Sequence, residues 1–462
     1  MDGYVTGRLQ DPADLSLKSI ALKSVMDHEV RHFHDFLLSP YGSFVFRAKL
    51  QAAIHGRALL GLLEERPGEW LPAPVIVWCS LEDPVRQEYL TQWRAALGSE
   101  IGLVELPNLN QIDFSKVGPS AKVNLKTADP NTAIAFLAHS TRLSYSRIGE
   151  LTEGMMTEAS SAELTPCNFF EVLALATQVQ SIWHAQSADC AQVFLTMLEE
   201  SRASYAKLWR RILTLVNGLP VPRQSSHGAP SVIDQIVAIV LWCTLGNSVI
   251  DNICACPNVR FLLLENFLKT HGSDEDNAND VVPVWRRWDE ALGLPSWREG
   301  VEHVIVSNKS HNERLKENQD GGIGHVAFEI FNGFCQQQEL AVQTFLKDPN
   351  LLVKQERYIN SGIDAGLPVP IIRLEMSGFK IHCPIGGAWA PVWEDTLKSP
   401  VSQVVLCGNH YSDDFLNYAV NLERMIMLSD MVLAGQEPPR GLNQFALDDI
   451  GRFAGKKPLW SV

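Results

Sequence analysis

The chain has 462 residues, 46% of them hydrophobic and 20% charged, which is enough apolar material for a packed core and excludes global disorder. Its formal net charge of -14, with no block of Lys and Arg, argues against a nucleic-acid partner. The nine cysteines are odd in number, lack any CxxC pair and sit mostly in apolar runs, so they read as reduced thiols.

Residues 1–16 carry no apolar stretch of the kind that directs secretion. The longest apolar run, Ile236 to Leu245, is far short of the roughly 20 residues that span a bilayer. A cytoplasmic protein with no membrane association is expected.

In chain order, helical periodicity dominates. Ser16 to Leu38 reads as one helix, stopped by Ser39-Pro40 and Tyr41-Gly42, and Phe44 to Glu65 as a second. Val75 to Ser80 and Ile101 to Leu106 are short apolar runs predicted as strands, with a helix over Pro84 to Leu97 between them. Asn131 is the expected N-cap of a helical stretch reaching toward Leu164. Asn168 to Ser187, Ala188 to Asn217 and Val232 to Ile250 are further predicted helices. The polar segment 271–282 is the clearest linker. Beyond it come a predicted helix over Val326 to Lys347, strand-like stretches at Val369 to His382 and Val401 to Cys407, and a last helix over Asp413 to Ala434. The expectation is a mainly α protein with small β elements (α+β). Its domains would be 1–270 and 283–462, with 44–130 a candidate insertion in the first.

One short motif carries chemistry. His28-Glu29-Val30-Arg31-His32 has the pattern H-E-x-x-H inside the first predicted helix. Residues i and i+4 of a helix lie about 40° apart, so His28 and His32 can aim at one ion. Glu29 lies about 100° further round, beside the ion, where it can take a proton from a zinc-held water. The surrounding helix is apolar around much of its circumference (Ile20, Leu22, Val25, Met26, Val30, Phe33, Phe36 and Leu37), as a buried helix is. Asp35 returns toward the His28 face and is a candidate to orient a ligand imidazole, with an ordinary helix-end Asp as the alternative. His34 points away from the pair. Arg31 reads as one half of a salt bridge.

Catalytic zinc takes three protein ligands, so a third is needed. No His follows at the spacing of the metzincins. The motif, together with Leu151-Thr152-Glu153-Gly154-Met155, resembles the gluzincin peptidases, whose aminopeptidases carry Asn-Glu-Gly-Phe-Ala on a second helix. That resemblance implies a zincin-like helix pair within a large helical body. It makes His28, His32 and Glu153 the zinc ligands and Glu29 the general base, and residues 44–130 would be an insertion supplying a substrate-binding strand. A rival third ligand is Glu158, because Glu158-Ala159-Ser160-Ser161-Ala162-Glu163-Leu164 resembles the glutamate segment of the ImmA/IrrE-type metallopeptidases. Tyr41, His139, Arg142 and Tyr145 are available as transition-state donors.

The expected function is a zinc-dependent peptidase acting on a peptide or protein. The alternative is a zincin-like binding or regulatory protein with a structural metal, serving one protein partner or an oligomer. Cys254-Ala255-Cys256, and His382-Cys383 with Cys407 and His410, are weaker Cys/His groupings that read as structural.

Overall fold

The computed structural model describes residues 17–114, 128–153, 162–185, 188–217, 228–246, 257–271, 280–317, 322–361, 365–368, 370–375, 378–383, 386–391, 426, 428–435 and 451–460. The protein is mainly helical. In chain order its elements are α1 (Leu17–Leu38), α2 (Pro40–Glu64), β1 (Trp70–Ala73), α3 (Val75–Ser80), α4 (Asp83–Leu97), α5 (Pro130–Glu153), α6 (Pro166–His184), α7 (Ala188–Glu200), α8 (Ser204–Asn217), α9 (Gly228–Thr244), α10 (Pro257–His271), α11 (Val281–Leu292), α12 (Trp297–Glu317), α13 (Gly322–Lys347), α14 (Asn350–Val353), α15 (Gln355–Ser361), β2 (Ile371–Glu375), β3 (Gly378–Cys383), β4 (Gly386–Pro391), a π-helical turn (Asp430–Ala434) and β5 (Lys457–Trp460). Among the described residues no helix is long and apolar enough to cross a membrane.

The chain forms two compact units. The first comprises Met1–Phe46, Glu150–Asn318 and Phe328–Leu416, and the second Arg47–Gly149, Gln319–Ala327 and Asn417–Val462. The division therefore does not fall at the expected linker 271–282, most of which lies outside the described residues. Residues on either side of that segment share one core. The Trp285 indole donates to Ala238 O at 3.1 Å, and the Trp242 indole donates to Asp289 Oδ1 at 3.0 Å. Large aromatic area at 285 and 288 binds α11 to α9 across the polar break.

The first unit is built on α6. Its residues Phe169, Val172, Leu173, Ala174, Leu175, Ala176 and Val179 are all buried, so the helix is apolar almost all round and must be covered on every side. α1 lies along it, and α7, α8 and α9 pack against it too. The α1–α6 contacts run in opposite order, with Asp27 meeting Ser181 and His32 meeting Glu171, so the two helices are antiparallel.

The end of α1 is closed tightly. Ser39 N donates to Asp35 O at 3.0 Å, Pro40 starts α2 where no N–H is needed, and Gly42 N donates to Ser39 Oγ. A Cβ at Gly42 would stand 2.5 Å from Phe36 O, so only glycine lets the two helices follow one another across a single residue. The Ser39-Pro40 signal thus separates two helices and opens the second four residues earlier than predicted. Gln338 Nε2 donates to Leu37 O at 2.8 Å, meeting one of the carbonyls a helix end leaves unpaired.

The strands β2, β3 and β4 form an antiparallel sheet in that order, with Ile371 opposite His382 and Phe379 opposite Ala390. β3 and β4 lie against α1. Within this unit, strands from 378–391 lie beside the motif helix.

The second unit pairs β1 in parallel with β5, Trp70 opposite Lys457. Val75–Ser80, predicted as a strand, is the helix α3. Its buried residues Val75, Ile76, Trp78 and Cys79 follow helical spacing, and Trp78 stacks on Trp93 at 4.9 Å. Packing here overrides the β preference of Val and Ile. The predicted strand 101–106 makes one bridge, Trp70 to Leu103. The cap of α5 is Asp129 rather than Asn131, its Oδ1 accepting from the backbone of Asn131 at 3.0 Å and Thr132 at 3.1 Å. The single helix predicted over Ala188 to Asn217 is two, α7 and α8. The strand-like run 401–407 and most of 413–434 lie outside the described residues.

A candidate metal centre

His28 and His32 sit one turn apart on α1, and their Nε2 atoms face each other at 3.1 Å. Across from them on α6 stands Glu171. Its Oε2 is 3.6 Å from His28 Nε2 and its Oε1 is 3.5 Å from His32 Nε2. Among the described residues these three side chains make up the group that can hold a metal ion. Glu153 closes α5 with its side chain outside the described residues, and Glu158 lies outside them altogether. The carboxylate brought to the histidine pair is Glu171, which the Glu-Gly resemblance did not single out. A usable signal was present, since Glu171 is the only acidic residue in the 19 of α6. A lone carboxylate on a helix buried almost all round needs a partner.

The donor set fits zinc. Zn–N bonds of 2.0–2.1 Å in a tetrahedron place neighbouring ligand atoms about 3.3–3.4 Å apart. The two imidazole nitrogens stand 3.1 Å apart, and each has its own Glu171 oxygen close to that spacing, Oε2 at 3.6 Å from His28 and Oε1 at 3.5 Å from His32. Two imidazoles and one carboxylate are also ligand types zinc favours. The side chains of His28, His32 and Glu171 are 13%, 21% and 38% exposed, so solvent reaches the group from the carboxylate side.

The two imidazoles are held in different electrostatic settings. Burial, helped by the neighbouring His32, lowers the His28 pKa to about 3, so that ring is neutral at pH 7 and has a lone pair to give. Burial also disfavours charge on His32, but the hydrogen bond and charge of Glu171 outweigh it, with Glu29 and Asp35 adding, and the His32 pKa stands above its ordinary value. Glu171 is thus the main electrostatic partner of His32. Burial pushes Glu171 up, but His32 and His28 together hold it below the usual carboxylate range.

Glu29 lies beside the group, half-buried. Burial, with a contribution from the charge of Glu171, raises its pKa to about 7 against the pull of His32. A divalent ion at the histidines would act with His32, favouring the carboxylate form.

The neighbours on α1 are engaged elsewhere. Asp35 takes both its oxygens to Arg31 Nε, at 2.9 and 2.8 Å, while Arg31 Nη1 donates to Leu352 O at 2.8 Å. Asp35 reaches His32 through its charge, and its hydrogen bonds go to Arg31. His34 turns to the opposite side: Tyr358 Oη donates to its Nδ1 at 2.8 Å, and its Nε2–H donates to Pro368 O at 2.6 Å. Burial lowers the His34 pKa to about 4. Asp27 is held by Lys23 at 2.6 Å and by Ser181.

No family model, curated protein or solved structure matches the chain. The functional reading therefore rests on the site.

Of the donors considered from the sequence, Tyr41 belongs to the first unit, buried and stacked on Phe170 at 5.8 Å, next in sequence to Glu171. His139, Arg142 and Tyr145 belong to the second unit. There His139 stacks on Phe114 and Tyr145 donates to Asp430 at 2.9 Å. Cys79, Cys243 and Cys335 are buried and not joined in disulfides, and burial raises the Cys79 pKa to about 12, which makes it inert. Cys254, Cys256, Cys407 and His410 lie outside the described residues.

Proposed function

We propose that the protein is a zinc-dependent hydrolase cleaving peptide bonds, with His28, His32 and Glu171 as ligands and Glu29 as general base. One observation carries the reading: two imidazole nitrogens 3.1 Å apart on α1 face the Glu171 carboxylate on antiparallel α6, with Oε2 3.6 Å from His28 Nε2 and Oε1 3.5 Å from His32 Nε2, a group of donors that can close on one cation. Three protein ligands would leave a zinc ion one position for water or substrate, as catalytic sites do, and the partly exposed Glu171 side gives access to it.

Zinc, when bound, supplies Lewis acidity and brings the pKa of the water it holds to about 7. The remaining work falls to the chain. Hydrolysis adds hydroxyl to the carbonyl carbon and a proton to the amine nitrogen as the C–N bond breaks. Glu29 receives the proton from the attacking water and delivers it to the departing amine. Its half-buried position beside the histidines suits that task, because a carboxylate held there can take a proton and return it. Glu171 balances part of the ion's charge and fixes the two imidazoles relative to α6. The protein is read as cytoplasmic.

The test is turnover of a broad peptide library by zinc-loaded protein beside His32→Ala. Cleavage of many peptides, lost in the variant, is expected. No cleavage of any peptide by zinc-loaded protein would overturn the peptidase reading in favour of a binding or regulatory role with one dedicated partner.

A further inference from the structure

The two nitrogens of His28 have different surroundings. Nε2 faces His32 and Glu171, as described. Nδ1 is sealed from solvent and makes no hydrogen bond of ordinary geometry among the described residues. A neutral imidazole that gives its Nε2 lone pair to a cation must carry its proton on Nδ1. Nδ1 is then a buried donor, and a buried donor left without an acceptor is destabilising.

The obvious acceptors are taken, Asp35 by Arg31 and Asp27 by Lys23 and Ser181. Gln178 is placed to serve. It follows Glu171 by seven residues on α6, and seven residues of helix return to within about 20° of the same face, about 10 Å along the axis. Because α1 runs antiparallel, that step leads from the Glu171 level toward the N-terminal half of α1. Gln178 lies between the levels of Glu171 and Ser181, which reaches Asp27. The Gln178 side chain lies within reach of the His28 ring.

We propose that Gln178 is the positioning residue of the metal centre: its carboxamide oxygen accepts the Nδ1–H of His28, fixing the tautomer that presents Nε2 to the ion. The inference rests on the zinc reading above. A carboxamide, unlike the carboxylates that often fill this place, orients the ring without adding charge, leaving Glu171 as the anionic ligand.

The experiment compares wild type with Gln178→Met, which keeps the length and removes the acceptor, and Gln178→Glu, which restores one. Zinc affinity is measured by competition with a chromophoric chelator, and the visible absorption of the cobalt-substituted protein reports ligand geometry. Far-ultraviolet circular dichroism checks folding. Gln178→Met is expected to bind zinc about 10- to 100-fold more weakly with an altered cobalt spectrum, and Gln178→Glu to recover the affinity. If wild type binds zinc and folded Gln178→Met matches it in affinity and cobalt spectrum, the positioning role is overturned while the zinc reading stands. Failure of Gln178→Glu to rescue a weakened Gln178→Met also overturns it, pointing to packing. A wild type that binds no zinc removes both.

Discussion

Replacing Glu29 by Gln is expected to leave zinc uptake at the wild-type level and to lower peptide hydrolysis by about 10²- to 10⁴-fold, the usual contribution of a positioned general base. The separation of the two effects follows from helical geometry. Glu29 lies about 100° from His28 around α1, beside the cation rather than on it. Glutamine has nearly the same volume, so the packing of α1 on α6 is preserved. What it lacks is a group that can hold a proton near neutral pH, where burial has brought the Glu29 carboxyl. Metal content and turnover, measured on one preparation, check both halves. Hydrolysis within tenfold of wild type would remove Glu29 as the base. Loss of zinc together with activity would make Glu29 a ligand.

The second large effect is on stability. Asp35→Ala is expected to cost about 3–5 kcal/mol in denaturant unfolding, because it leaves the Arg31 cation buried without its counter-ion. Both side chains are fully buried. Arg31 Nη2 already lacks a hydrogen-bond partner among the described residues, so the guanidinium has little compensation to fall back on. Its remaining support is Leu352 O and the Tyr358 ring, whose centroid is 4.9 Å away. The double variant Arg31→Met, Asp35→Leu is expected to recover much of the loss, since a buried ion pair replaced by apolar groups of similar size is often neutral. The folded fraction of Asp35→Ala should still take up zinc, because its hydrogen bonds serve Arg31. An unfolding free energy within about 1 kcal/mol of wild type would show that water or another group takes over the charge.

These two residues show where sequence reasoning reaches and where it stops. The register of α1 was legible because its signal is local: apolar residues at helical spacing, a motif of i and i+4 histidines, and a Ser-Pro stop. From that register alone Glu29 falls beside the site and His34 away from it. Asp35 also lies on the side toward His28, but α1 itself supplies Arg31 four residues earlier, and a charged guanidinium whose Nε–H is shared by both carboxylate oxygens is the stronger claim on a buried Asp.

Glu171 was not legible in the same way. Its approach to the histidines depends on α1 and α6 packing antiparallel in one register, which no local pattern encodes. The family resemblance points to the acidic, glycine-containing stretch near 150–163, where carboxylates are plentiful, whereas the residue brought to the histidines stands alone among Phe169, Phe170, Val172 and Leu173. Val75–Ser80 failed for a related reason. Its β-branched residues favour a strand, but Trp78 and Trp93 stack only if the segment coils. The pairing of β1 with β5 joins residues 70–73 to 457–460, a contact invisible to any window of sequence. The polar segment 271–282 looked like a domain border because composition marks exposed chain, while Trp285 and Asp289 just beyond it anchor to α9.

The central claim is that α1 and α6 together close on one zinc ion. It is tested most directly by elemental analysis of purified wild type, Glu171→Gln and Glu153→Gln, with circular dichroism to confirm folding. About one equivalent of zinc is expected in wild type and in Glu153→Gln, and none in Glu171→Gln. Zinc retained in Glu171→Gln and lost from Glu153→Gln would contradict the ligand set, and a wild type without zinc would contradict the account as a whole.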